Sequence, residues 1–206
     1  RRALARALKA VGELEEAERL LLRAVDSAEQ LGGPDHPELA AALADLSGVL
    51  VVLGRPAEAE GPLRRALTLR ERVLPPDHLD LAQSLNNLAA LCVTLHRDAE
   101  ARPPLERALG IWERVLGPDH PRLASGLTNL AAMLRRQRQY VEAERLYRRA
   151  LAIRETAYGP DHPAVAEAAV YVSTATAPEA VQERGVNEYI ENLLKLDHRS
   201  FLSSVF

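Results

Sequence analysis

Four Asp-His pairs, Asp35-His36, Asp77-His78, Asp119-His120 and Asp161-His162, are the residues of this chain best suited to chemistry, because imidazole and carboxylate ligate metals and exchange protons near neutral pH. Their spacing assigns them another role. Each pair follows a proline, Pro34, Pro76, Pro118 or Pro160, and each recurs 42 residues after the last, so every pair belongs to a separate copy of one repeating unit. If each copy adds two packed helices about 8–10 Å apart, successive pairs lie on the order of 16 Å apart, too far to share metal bonds of about 2 Å. The pairs are therefore predicted to be corners, and no metal site is expected. Cys92 falls on an apolar stripe where other copies hold Leu8, Leu50 and Leu134, and it reads as a packing residue. A Gly-rich phosphate loop, a Gly-x-Ser-x-Gly elbow and a His-Glu-x-x-His helix are all missing from the sequence, so neither an enzyme nor a bound cofactor is expected.

The elements that must position these corners follow from the same period. A second marker, Glu16-Ala17-Glu18, Glu58-Ala59-Glu60, Glu100-Ala101-Arg102 and Glu142-Ala143-Glu144, keeps it. Between the markers Leu81, Leu85, Leu88, Ala89, Cys92 and Leu95 recur at helical spacing and define a helix A. Ala101, Leu105, Ala108, Leu109, Trp112 and Val115 trace the stripe of a following helix B. Small residues recur at one point on helix A (Ala5, Ser47, Ala89, Ala131, Ser173) and at another on helix B (Ala24, Ala66, Ala108, Ala150), as close approach of two helix axes requires. Pro37, Pro121 and Pro163 open A helices, where a missing N–H does no harm, and the preceding Asp-His supplies the cap. Gly12 and Gly54 suit the left-handed residue that ends helix A, whereas His96 and Arg138 stand there in later copies and predict less stable turns. Pro62 and Pro103-Pro104 inside helix B predict a kink or a late helix start.

Composition agrees with an all-α chain. Hydrophobic residues make up 47% and aromatics only 4%, so the core is built from Leu, Ala and Val. A formal net charge of -3 and the scarcity of stacking aromatics argue against an RNA-binding solenoid, and the recurring pairs Arg64-Arg65, Arg135-Arg136 and Arg148-Arg149 read as solvated helix faces. The lack of a long apolar run and of a signal peptide, with one cysteine, predicts a cytoplasmic protein with no membrane partner.

The segments AQSLNNLAALC, EAERLYRRALAIRE and GPDHP resemble the tetratricopeptide repeats of the kinesin light chain and nephrocystin families, whose form has this 42-residue period. The resemblance covers residues 1–175 and implies a right-handed superhelical solenoid of helix-turn-helix repeats that serves as an adaptor or scaffold. The repeats are expected at about 1–33, 34–75, 76–117, 118–159 and a partial 160–177. The first copy starts partway along a helix A, as a fragment of a longer chain would. Within a C-terminal segment 178–206, residues 186–206 change character: Val186, Ile190, Leu193 and Leu194 form one apolar face, and Phe201, Leu202, Val205 and Phe206 a second. They are expected to form a divergent helical tail that caps the array or lies in a groove like a ligand, in the same or a neighbouring chain.

Counting at 100° per residue places Gln83, Asn86, Asn87 and Thr94 opposite the core side of one helix A, and Ser125, Thr128, Asn129 and Arg136 opposite that of the next. In a superhelical stack these faces line one polar groove suited to an extended peptide of a partner protein, because carboxamides replace the hydrogen bonds a peptide backbone loses on leaving water. The resemblance implies that the Asn of the NNLA motif clamps ligand backbone, which falls on Asn87 and Asn129. Ala3, Asp45 and Tyr171 occupy the same column elsewhere. Self-association through incompletely covered ends or the tail is the alternative.

Overall fold

The computed structural model describes residues 2–10, 12–33 and 36–175. Among them the regular structure is entirely helical: α1 (Arg2–Ala10), α2 (Leu14–Gly32), α3 (Pro37–Val52), α4 (Pro56–Val73), α5 (Leu79–Thr94), α6 (Asp98–Leu116), α7 (Pro121–Arg136), α8 (Tyr140–Tyr158) and α9 (Pro163–Thr174). Odd-numbered helices are the A helices and even-numbered ones the B helices. The chain divides into two compact units, Arg1–Asp119 with α1 to α6 and His120–Phe206 with α7 to α9. Within each unit every helix packs on the next, giving the pairwise repeat array. The capping or ligand-like tail expected at 178–206 lies outside the described residues.

The columns of small residues are where helices meet. Ala5, Ala89 and Ala131 on the A helices and Ala66 and Ala108 on the B helices are 0% exposed, and Ser47 and Ala150 are also buried. The Ala of each Glu-Ala-Glu marker is equally covered: Ala17, Ala59, Ala101 and Ala143 form a third close contact, in the first turns of the B helices. Two members of the expected columns depart. Ser173 is exposed in the last turn of α9, where its hydroxyl donates to the Val170 carbonyl at 2.9 Å. Ala24 is half-buried on α2. The stripe of α6 stops at Trp112: Val115 and its counterpart Val73 are each 46% exposed in the last turns of their helices.

The corner histidines cap the A helices. The Nδ1 atoms of His36, His78, His120 and His162 accept from the backbone N–H groups of Glu38, Asp80, Arg122 and Ala164 at 3.1–3.2 Å. Each histidine holds the extended backbone of an N-cap, and its Nδ1 takes a donor that the first helical turn leaves unpaired. Proline does not delay the B helices. α6 begins at Asp98, ahead of Pro103 and Pro104, and α4 begins at Pro56, ahead of Pro62. Pro62 and Pro104 stand half-buried where other copies place Leu20 and Leu146, so their rings fill an apolar slot, and burying Ala59 and Ala101 requires helix before them.

The A helices α1, α3, α5 and α7 each end on a left-handed residue, with φ of 86° at Gly12, 74° at Gly54, 59° at His96 and 61° at Arg138, whereas Ala175 at the end of α9 keeps right-handed backbone with φ of -62°. The following N–H closes the turn: Arg55 donates to Leu50 O at 2.9 Å, Arg97 to Cys92 O at 2.8 Å and Gln139 to Leu134 O at 2.9 Å. A side chain in this conformation costs about 1–2 kcal/mol, of which the extra freedom of glycine in the unfolded chain returns about 0.4–1. His96→Gly and Arg138→Gly should therefore each stabilise the chain by about 0.5–1 kcal/mol. A rise in the thermal midpoint of both variants checks this; a fall in either would contradict it.

The arginines of the B-helix faces are not merely solvated. In the first unit Arg55 pairs with Glu18 (2.9 Å) of the preceding copy and Glu58 (2.6 Å) of its own, and Arg97 repeats the pattern with Glu60 (2.6 Å) and Glu100 (3.6 Å). Arg64 reaches Glu100 at 2.9 Å, while Arg65 pairs back to Glu29. Each exposed pair contributes only about 0–1 kcal/mol, but together they tie successive B helices in register. Hydrogen bonds from Arg97 and then Arg64 hold the Glu60 carboxyl below its ordinary range. Its contribution is thus complete above the unfolded carboxylate value of about 4.3 and is lost as pH falls through the lower folded value. The difference in melting temperature between the wild type and Arg97→Gln should be constant near neutral pH and shrink on acidification; a difference that grows with acid would contradict the bridge.

Candidate functional site

The exposed face of each A helix is set by the same columns that fix its buried face. In the first unit, Asp45 on α3 and Asn87 on α5 occupy equivalent positions, and both line a cavity of about 270 Å³. Its floor is apolar, from Ala5, Leu21, Ala44 and Val49, and its walls carry Arg6 and Lys9 of α1, Asp45 and Gly48 of α3, and Asn87. Gln83 donates through Nε2 to Asn87 Oδ1 at 2.8 Å, one turn away on α5. That bond occupies the carboxamide oxygen and leaves Nδ2 as the group's remaining donor. Asp45 is engaged by Arg2 at 3.0 Å, and the same guanidinium reaches Glu38 at 2.8 Å.

Not all of the sequence-selected residues share this face. Asn86 is only 6% exposed, so it sits within the packing of α5 and not beside Asn87. Thr94 is exposed in the last turn of α5 and donates to Ala90 O at 3.0 Å. In the second unit Ser125 is exposed, and Thr128 and Asn129 are half-buried on the same stretch of α7; Thr128 donates to Ala124 O at 2.8 Å. Arg136 is exposed at the end of that helix. Tyr171, in the asparagine column of α9, stacks on Tyr147 of α8 with ring centroids 5.5 Å apart and donates to Glu167 at 3.2 Å. Burial raises the phenol pKa of Tyr147 above its ordinary value. Arg6, Lys9 and Gly48 were not singled out in the sequence. The signal was present, since Arg6 and Gly48 lie three residues after Ala3 and Asp45 and so continue the same face.

The groups with chemical potential elsewhere are committed to structure. Each described histidine of a corner is a helix cap, and Asp77 is paired with Arg114. Cys92 is buried, and burial pushes its thiol pKa up, away from reactivity. Among the described residues no three His, Cys, Asp or Glu side chains gather as metal ligands would, and no helix is long and apolar enough to cross a membrane.

The repeat itself decides the family. A family model for the tetratricopeptide repeat matches residues 1–72, 48–113, 80–156 and 122–175, and so runs through residues 1–175 without a break. The chain belongs to the tetratricopeptide repeat family. Tetratricopeptide repeats are typically protein–protein interaction modules, and they place this chain in that broad class. No curated protein sequence matches it. Solved tetratricopeptide-like structures share its fold: the crystal structure of BtubC (BKLC) from P. vanneervenii has a TM-score of 0.72 at 22% identity, over 95% of this chain and 80% of that one. Crystal structures of a Podosopora anserina putative kinesin light chain with nearly identical TPR-like repeats, one of them a point variant, give TM-scores of 0.71 and 0.73. Both are 22% identical and cover 97% of this chain, with 94% and 93% of theirs.

Proposed function

We propose that this tetratricopeptide repeat chain is a non-catalytic adaptor that binds an extended peptide of a partner protein along the exposed faces of its A helices. The observation that carries this reading is the cavity of the first unit, where Asn87 stands over a small apolar floor with its carboxamide oriented by Gln83. An extended backbone entering there loses water from its carbonyls, and Asn87 Nδ2 is placed to replace one of those hydrogen bonds. Ser125, Thr128, Asn129 and Arg136 give the second unit a comparable polar face on α7. The small residues around these asparagines, Gly48 and Ala90 in the first unit and Ala132 in the second, let a ligand backbone come close to the helices.

Selection of random dodecapeptides, displayed on phage, against the immobilised chain tests the reading. Enrichment of related peptides that are lost from Asn87→Ala is the expected outcome. Selection that enriches no sequence, or one indifferent to Asn87 and Asn129, would overturn it.

A further inference from the structure

Each corner histidine caps its helix in a way that only one charge state of the ring allows. Nδ1 of His36, His78, His120 and His162 accepts from a backbone N–H in the first helical turn at 3.1–3.2 Å. A ring that accepts at Nδ1 is neutral and carries its proton on Nε2. Protonation turns Nδ1 into a donor facing another donor, and it sets a cation at a helix end that already presents about half a positive charge. A serine, threonine or asparagine cap keeps its acceptor through the neutral and mildly acidic range. Histidine, which titrates near pH 6.5 when unperturbed, does not.

The surroundings of the rings give an imidazolium little in exchange. His36, His78 and His120 are half-buried, and a Cβ on Gly32 at the end of α2 would collide with the His36 ring, which lies against that helix. His162 stacks on Tyr158 of α8 with ring centroids 4.8 Å apart. Around His36, Arg2 and Arg6 of α1 and Arg70 of α4 stand with Glu38 and Asp45 of α3 and Asp80 of α5, three charges of each sign. Both carboxylates of α3 are taken by Arg2. At the His78 corner Asp77 is paired with Arg114 of α6, and Asp80 follows on the capped helix itself. At the His162 corner, which also holds Asp161, Arg154 of α8 donates to the Ala164 carbonyl at 3.1 Å and lies 3.7 Å from Glu167. The N–H that His120 caps belongs to Arg122, another cation. We propose that the four corner histidines form a proton-sensitive latch: neutral, they hold the first turns of α3, α5, α7 and α9, and protonated in mild acid they release them together. The contribution of the caps is complete above the ordinary histidine range and is lost as pH falls through it. The Arg–Glu bridges keep theirs over that interval, because glutamate titrates near pH 4.3 when unperturbed.

Thermal unfolding of the full chain at about pH 7.5 and about pH 5.5, on either side of the histidine range, tests the latch against a variant carrying His36→Asn, His78→Asn, His120→Asn and His162→Asn. Asparagine caps a helix through Oδ1 and does not titrate. The wild-type midpoint should fall by about 5–10 °C between the two conditions, and that of the variant by less than about 2 °C. His96 and His198 remain in both chains, so their titration cancels. A wild-type midpoint that holds or rises on acidification, or an equal fall in a folded variant, would overturn the inference. Proton–nitrogen correlation NMR of the imidazoles reads the unmodified chain, so the result does not depend on the variant folding. Near neutral pH the corner rings should carry their proton on Nε2 alone and take up a second one as the midpoint falls. Corner rings that are already protonated at Nδ1 near neutral pH would overturn the latch as well.

Discussion

Replacing Trp112 by alanine should lower the stability of the chain by about 3–5 kcal/mol, the largest loss expected from any single change in the first unit. Trp112 is 1% exposed on α6 and is the largest fully buried side chain among the described residues. Removing it forfeits the transfer energy of the indole and leaves a cavity that close-packed helices fill only in part. Equivalent positions of the repeat hold Arg70 and Arg154, which donate to the backbone carbonyls of Asp80 (3.3 Å) and Ala164 (3.1 Å) in the following A helix. Trp112 keeps a donor at that point, but its Nε1–H finds no partner among the described residues. Trp112→Phe therefore loses some packing and also removes an unpaired buried donor, so it should cost no more than about 1.5 kcal/mol. Thermal unfolding followed by circular dichroism checks both. Equal losses for Ala and Phe would show that the indole N–H matters and has a partner.

The fold was legible because its signals are periodic. Proline-Asp-His corners and Glu-Ala-Glu markers placed every turn, and the alanines of the small-residue columns proved buried where the period put them, Ala24 being only half-covered. What the sequence hid depends on side-chain reach. Nothing in the pair Asp-His says that imidazole Nδ1, and not the carboxylate, will cap the helix, because that turns on an extended N-cap backbone that brings the ring two residues forward. Arg64 and Arg65 read as solvated because their partners, Glu100 and Glu29, are 36 residues away and meet them only when B helices stack. Pro103 looked like a helix breaker until the burial of Ala101 required helical backbone before it.

For the candidate site, helix counting found Asn87 and its neighbour Gln83 but could not separate Asn87 from Asn86. The two are adjacent in sequence and differ by 100° around the helix, enough to put one beside the cavity and the other in the packing. The cationic wall was missed for a different reason. Arg6 and Lys9 belong to the first copy, which has Ala3 where the third and fourth copies have asparagine, and only the packing of α1 beside α3 brings them to the same cavity as Asn87.

Peptide binding along the A helices is the central claim, and titration of a selected peptide into wild type, Asn87→Ala, Asn129→Ala and the double variant tests it most directly. In the proposed complex Asn87 Nδ2 would donate to a ligand carbonyl, and loss of one such bond costs about 0.5–1.5 kcal/mol, with more for a partner left unsatisfied. Asn87→Ala should therefore raise Kd about three- to tenfold for a peptide held on the first unit, Asn129→Ala should do the same for one held on the second, and the double variant should weaken either. Both residues are half-buried on helix faces, so the variants should keep the wild-type melting temperature within a few degrees. A Kd unchanged in the double variant, for a peptide that wild type binds, would contradict the account and move the binding surface away from the A helices.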